Sequence, residues 1–291
     1  MRRVLDSAAQ AGLCVLLVWI ALIAATPLRL PGLAPETAVA PPGTRAMWLW
    51  KPEPPRPVVE WAAANGVRAL FAYYDPAAGP AELQRLATLK RLCDEAGIML
   101  DALGGDPSWT NDHATALTWA NSAAAAGLFH ALHVDVEPYL LPSWQTDQAA
   151  LVPPYLALLQ QMSAATELPV EADVPFWLPT VTLTDGQNLA DAVLARVAGI
   201  TVMSYRNTAT GANSIVGVAD DLLRRAGALA KPVRLGAETQ ALGDCSYCSF
   251  HGTTEAQLHK TLSAVDTAAQ RYPAFAGIAV HQYESWVALS S

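Results

Sequence analysis

Eight short apolar segments of extended character recur between residue 45 and the carboxyl end of this 291-residue chain, with a helical stretch after nearly every one. The strand-like runs are 45–50, 67–74, 97–103, 131–137, 168–174, 199–205, 232–238 and 276–283. Helix-like runs fall at 56–65, 80–96, 112–126, 148–166, 186–197, 214–229 and 253–271, and Gly66, Gly97, Gly127 and Gly199 follow four of them at the expected stop. Eight evenly spaced strand and helix units predict an α/β fold, a (β/α)8 TIM barrel of eight parallel strands, because a doubly wound sheet rarely needs so many. Only seven helical runs are present, so the last helix is expected to be short or missing. No fixed-period repeat occurs, which disfavours a solenoid.

The 52% hydrophobic content suits one large globular domain, and the net charge of −8 argues against a polyanionic partner. Lys and Arg total 18 and cluster only as the pairs Arg2-Arg3, Lys90-Arg91 and Arg224-Arg225, so no basic track offers itself to nucleic acid. Arg2 and Arg3 precede an uncharged, largely apolar stretch from Ala11 to Ala25. A membrane span wants about 20 such residues and a signal-peptide core about 7 to 15, so residues 1–26 read as a signal peptide, or else as an N-terminal anchor tethering the protein to a membrane through 11–25. Ala-Gly-Leu before Cys14 is not the lipoprotein order. Residues 27–44 carry Pro27, Pro31, Pro35, Pro41 and Pro42 and read as a linker, which leaves 45–291 for the barrel. Export makes Cys245 and Cys248 a candidate disulfide; a zinc site would lack its second pair. Cys93, on a helical run, is expected to be buried.

In a barrel of this kind the chemistry lies at the carboxyl ends of the strands. The run Leu-His-Val-Asp-Val-Glu-Pro-Tyr at 132–139 places His133, Asp135 and Glu137 at alternating positions, hence on one strand face. A face buried for packing alone would avoid an imidazole and two carboxylates. Other strand ends are equally polar: Asp101 and Asp106, Glu171 and Asp173, Tyr205 and Arg206, Glu238 and Gln240, then His281, Tyr283 and Glu284. Six of nine tryptophans, Trp48, Trp50, Trp109, Trp144, Trp177 and Trp286, fall at or just after strand ends. Indole faces beside carboxylates suit sugars, whose C–H faces stack while their hydroxyls bond.

Cleaving a glycosidic bond takes an acid for the leaving oxygen and a second group for the oxocarbenium-like centre. Glu137 is the best candidate acid, with Asp135 beside it. His130 points away from His133 and Asp135, and no His-x-His or His-Glu-x-x-His occurs, so no metal or other cofactor is expected. No Gly-x-Ser-x-Gly elbow supports a serine hydrolase. The substrate-binding candidates are Trp48, Trp50, Asp101, Trp109, His133, Asp173, Trp177, Arg206, His281 and Trp286.

The run from His130 to Glu137 resembles the strand-four motif Asp-x-x-Asp-x-Asp-x-Glu of family 18 glycoside hydrolases, with histidine at the first two aspartate positions. Leu103-Gly104-Gly105 resembles the end of that family's strand-three Ser-x-Gly-Gly, Met203-Ser204-Tyr205 its strand-six Met-x-Tyr, and Trp286 its strand-eight tryptophan. The resemblance implies that Glu137 is the proton donor, that Asp135 and Tyr205 hold a substrate N-acetyl group, and that this amide is the nucleophile. Ala102 stands in place of the family's serine, and His133 in place of the aspartate that shares a proton with the middle carboxylate. Glu137-Pro138 with Glu238 also resembles the acid/base and strand-seven nucleophile of retaining clan A glycosidases, although Val136 occupies the usual asparagine position. Carboxyls about 5 to 5.5 Å apart would imply retention through a covalent intermediate, and about 6.5 to 9.5 Å inversion. The expectation is an exported hydrolase of an extracellular or cell-envelope polysaccharide, the alternative a lectin-like barrel that only binds sugar.

Overall fold

The computed structural model describes residues 39–289. The leader, the candidate tether, Cys14 and the linker as far as residue 38 lie outside the described residues. Eight parallel strands close on themselves in sequence order: β1 (Arg45–Leu49), β2 (Val67–Tyr73), β3 (Met99–Gly104), β4 (Leu132–Val134), β5 (Val170–Pro175), β6 (Gly199–Met203), β7 (Val233–Glu238) and β8 (Phe275–His281). Between them run α1 (Pro55–Ala64), α2 (Pro80–Ala96), α3 (His113–Ala126), α4 (Gln148–Ala165), α5 (Leu189–Leu194), α6 (Ile215–Ala228) and α7 (Glu255–Ala269), and the five-residue α8 (Tyr283–Val287) closes the chain. This is the (β/α)8 barrel with a short last helix.

Local chemistry sets the boundaries. Asp112, Asp147, Ser214 and Thr254 each cap a helix by accepting a backbone N–H, and Thr254 with Gln257 forms a full capping box. Gly97 and Gly127 end α2 and α3 at φ 68° and 65°. The helix expected over 186–197 shrinks to α5 because Thr182 and Asn188 pair as an antiparallel bridge, which consumes its first turn.

Strand alternation divides the core. Outward residues such as Leu70, Leu100, Val174, Val202, Leu235 and Val280 join the helices in one large apolar layer. Inside the barrel a much smaller cluster, Ala46, Trp48, Ala69, Phe71, Leu103 and Ala279, comes from β1, β2, β3 and β8 alone. At the amino-terminal face Arg45 forms a buried two-point ion pair with Asp266 of α7, at 3.0 and 2.8 Å. Gly43 N–H donates to the same carboxylate and Ala40 N–H to Phe275 O, both at 2.9 Å, so the last residues of the expected linker are already bonded to the barrel. Among the described residues no helix is long and apolar enough to cross a membrane.

Candidate active site

The half of the barrel interior that the apolar cluster leaves is filled by charge. Inward positions on β4, β5, β6 and β7 are His133, Glu171, Asp173, Thr201, Arg234 and Glu238, joined by Asp101 of β3. These groups form two layers.

The lower layer is closed. Arg234 Nη1 donates to Glu171 Oε2, and His133 Nε2 donates to Asp173 Oδ1 at 2.9 Å while its Nδ1 lies 3.9 Å from Glu171 Oε2. The His133 ring stacks on Phe71 with centroids 3.6 Å apart, and Trp48 Nε1 donates to the other oxygen of Asp173 at 3.1 Å. Complete burial opposes a charge on His133, but Asp173 and Glu171 outweigh it and raise the imidazole from 6.5 to about 9. Burial likewise opposes ionisation of Glu171, yet Arg234 and His133 hold it down at about 2. Asp101 has no such cation in contact, so burial and the Glu171 charge lift it to about 6.

The upper layer opens to the mouth. Asp135 and Glu137 continue the inward face of β4 beyond its last ladder residue, and both are half-buried. Burial, then the charges of Asp173 and Glu137, raise Asp135 well above the usual carboxylate range, and its Oδ1 is buried with no hydrogen-bond partner. Glu137 is also raised, by burial first, with Asp173 adding to it and the Tyr139 hydroxyl, which donates to Glu137 Oε1, working against it. Neither Arg206 nor Arg234 pairs with it. Tyr205 faces the same group: burial and the Glu238, Asp173, Asp135 and Glu137 charges all push its phenol upward.

Glu238 is differently placed. Its Oε1 accepts from Thr239 N–H and Gln240 N–H at 2.7 and 2.6 Å, and its Oε2 lies 2.8 Å from His281 Nδ1. Trp50 Nε1 donates to His281 Nε2 at 2.9 Å; an indole N–H can only donate, so the imidazole proton sits on Nδ1 and goes to Glu238. Both carboxylate oxygens are thus occupied on a residue 3% exposed. The side chain holds His281 in place at the mouth.

Of the residues singled out in the sequence, Asp135, Glu137, Tyr205, Glu238, His281 and Trp50 come together at the mouth. Trp48, His133 and Asp173 lie one layer down, and Asp101 sits at the floor with 2% exposure, so these four support the site from below instead of lining it. The reason is barrel layering: only the last inward residue of each strand reaches the opening. Trp286 is a correction of a different kind. Past His281 the chain enters α8, and Trp286 packs on Trp61 of α1 with ring centroids 4.6 Å apart and 1% exposure, buried in the layer of helices and offering no free face to a ligand. Arg206 lies among loops, over the Phe176 ring at 4.7 Å. Trp177 is half-buried in a trio with Tyr139 and Trp144. Trp109 lines a cleft of about 510 Å3 with Tyr73, Gly105 and Asp106, beside the mouth. Cys245 and Cys248 form a disulfide, and Cys93 is free and buried, its thiol pushed up to about 12 by burial and Asp94.

Sequence reasoning passed over Tyr139, whose only signal was its place two residues beyond Glu137, and Phe71, an inward residue of β2. It also gave no reason for the glycines. A Cβ on Gly105 would lie 2.0 Å from Asp135 O, and one on Gly236 would lie 3.0 Å from Tyr205 Cε1. Both let a site residue approach a neighbouring strand.

No protein-family model and no curated protein matches the chain in sequence. Solved structures do match in shape. The spore cortex-lytic enzyme SleL of Bacillus cereus superposes with TM-score 0.56 at 10% identity, over 87% of this chain and 74% of its own. The shared fold is the closed (β/α)8 barrel. The GH113 β-mannanase AaManA of Alicyclobacillus acidocaldarius, solved in complex with ManMIm, gives 0.55 at 12% identity, over 86% of this chain and 89% of its own. Identities this low speak for the shared barrel alone.

Proposed function

We propose that the protein is an exported glycoside hydrolase acting on an extracellular or cell-envelope polysaccharide, with Glu137 as the general acid/base. The observation that carries this reading is the setting of Glu137: a half-buried carboxyl just past the carboxyl end of β4, raised in pKa, whose one side-chain partner among the described residues is a hydroxyl. A carboxyl whose proton is favoured by its surroundings is suited to hand it to a leaving oxygen.

The second role falls to Asp135. Its carboxyl oxygen accepts from the N–H of a substrate acetamido group and turns the carbonyl oxygen toward the anomeric carbon, with the Tyr205 hydroxyl as a further contact to that group; attack by this oxygen expels the leaving alcohol, which Glu137 protonates, and attack by water that Glu137 deprotonates then restores the amide with retained configuration. Glu238 is a poorer nucleophile here, since attack would require it to leave three donors. Residues 1–26 support export. The likeness to a cortex-lytic barrel makes peptidoglycan the first substrate to test.

The experiment is release of reducing ends from peptidoglycan sacculi, chitin and mannan by wild type and Glu137→Gln. Hydrolysis of one of them, lost by about 10^3-fold in the variant with binding intact, supports the assignment. Binding by wild type with no release from any of them would favour the lectin-like alternative.

A further inference from the structure

Tyr247 is 53% exposed, yet the backbone beneath it is fixed by a disulfide and by bonds to two neighbouring loops. It occupies a four-residue ring closed by the Cys245–Cys248 disulfide, with Cα atoms 5.3 Å apart. Asn207 N–H donates to Tyr247 O at 2.9 Å and Asn207 Nδ2 to Ser246 O at 3.2 Å, which binds the ring to the loop after β6. Two residues on, Ser249 Oγ donates to Gln240 O at 2.5 Å and Phe250 N–H to Glu238 O at 2.8 Å, which fastens it to the end of β7. Arg206 completes the support. Its guanidinium lies 5.5 Å from the Tyr247 centroid and 4.7 Å from that of Phe176, with Nε donating to Asn213 Oδ1 and Nη1 to Tyr205 O, each at 2.6 Å. No carboxylate pairs with Arg206 among the described residues, so the cation rests on aromatic faces and carbonyls.

An exposed aromatic ring would ordinarily gain nothing from so much anchoring. Fixing it lowers the ordering cost of any ligand that stacks on it, and a tyrosine face beside a polar rim fits the C–H face of a pyranose. Nor does the disulfide have much else to do, since closing a ring this short restrains far fewer unfolded conformations than closing a long loop. We propose that Tyr247 is an outer sugar-binding platform on the rim between β6 and β7, held in place by the disulfide and by Arg206, which takes a pyranose unit of the polymer away from the bond that is cleaved. This rests on the glycosidase reading of the site and extends it to chain recognition.

The test uses the full chain with Glu137→Gln as background, run through gels containing glycol chitin, solubilised peptidoglycan or mannan. Adding Tyr247→Ala should weaken retention in the gel that retards the parent, with Kd raised about 5- to 10-fold; Tyr247→Trp should restore it, and Cys245→Ser with Cys248→Ser should give an intermediate loss. In the otherwise wild-type enzyme, Tyr247→Ala should raise KM for the polymer and leave kcat within twofold. Unchanged Kd in Tyr247→Ala overturns the platform while hydrolysis by wild type keeps the glycosidase reading standing. Retention that depends on Tyr247 in a protein that releases no sugar has the reverse meaning. Absence of retention in all three gels overturns the platform outright.

Discussion

The Glu137 carboxyl is pulled in two directions: burial and Asp173 favour its proton, while the Tyr139 hydroxyl favours its charge. Removing the hydroxyl should therefore leave burial and repulsion in command. In Tyr139→Phe the alkaline limb of the kcat/KM profile, where Glu137 loses its proton, should move to higher pH, and a profile that keeps its limb would show that Tyr139 does not act on the acid. Asp135 permits a sharper comparison. If an uncharged acceptor suffices, Asp135→Asn keeps a carbonyl oxygen to take the acetamido N–H and should retain about tenfold more kcat than Asp135→Ala, which loses the acceptor altogether at a cost of about 10^2-fold or more. Equal loss in both variants would mean that the carboxylate form is needed. The alternation that set His133, Asp135 and Glu137 on one face was legible in the sequence because a strand has a period of two. Depth was not legible. Nothing in a linear pattern says that His133 is sealed beneath the mouth while Asp135, two positions on, stands in it.

At the level of elements, most boundaries could be read because caps and stops are local. The helix expected over 80–96 is α2, Pro80–Ala96, ended by Gly97 in a left-handed conformation. The fourth strand was read too long, to residue 137, whereas its ladder stops at Val134 and only Asp135 N–H still reaches across, to Gly104 O at 2.9 Å. Apolar alternation continues through Val136, so the sequence shows no break; just past the third strand Gly105 lets the chain beyond β4 lean in. A methyl at 105 would meet Asp135 O at 2.0 Å and Asp135 C at 2.4 Å, both backbone atoms that have little room to retreat. Gly105→Ala should destabilise the protein by about 1–3 kcal/mol and reduce kcat, because the displaced segment is the one that carries both acids. Denaturant midpoints and steady-state rates measured together check this; a variant with wild-type values in both would mean that the close approach is not needed.

For the whole molecule, charged side chains fill the half of the barrel interior that the apolar cluster leaves, and that choice makes the fold sensitive to pH. The barrel itself was readable from eight repeats of strand and helix, but the ion pairs that close its floor join residues 38 and 63 positions apart, Glu171 with His133 and with Arg234, and no local pattern links them. Their signs can be worked through. His133 is raised from 6.5 to about 9, so its stabilising charge is fully present below 6.5 and is lost as pH rises through 9. Asp101, raised from 3.8 to about 6, also favours the folded state most when protonated, and that contribution is lost as pH rises through 6. Glu171, lowered from 4.5 to about 2, contributes above 4.5 and fails as pH falls toward 2. The three together place the most stable range near pH 4 to 4.5, with a first decline up to about pH 6 from Asp101 and a second from about 6.5 to 9 from His133, and make alkaline conditions the weak side. Tm should fall by about 5–10 °C from pH 6 to 9.5, a change of about 2–3 kcal/mol at this chain length. Asp101→Asn offers the internal check: an amide does not titrate, so the part of the decline between pH 4.5 and 7 should shrink while the part above 7, which belongs to His133, persists. A melting curve that is flat from pH 6 to 9.5, or a decline that Asp101→Asn leaves untouched below 7, would remove the buried floor as the source of the pH dependence.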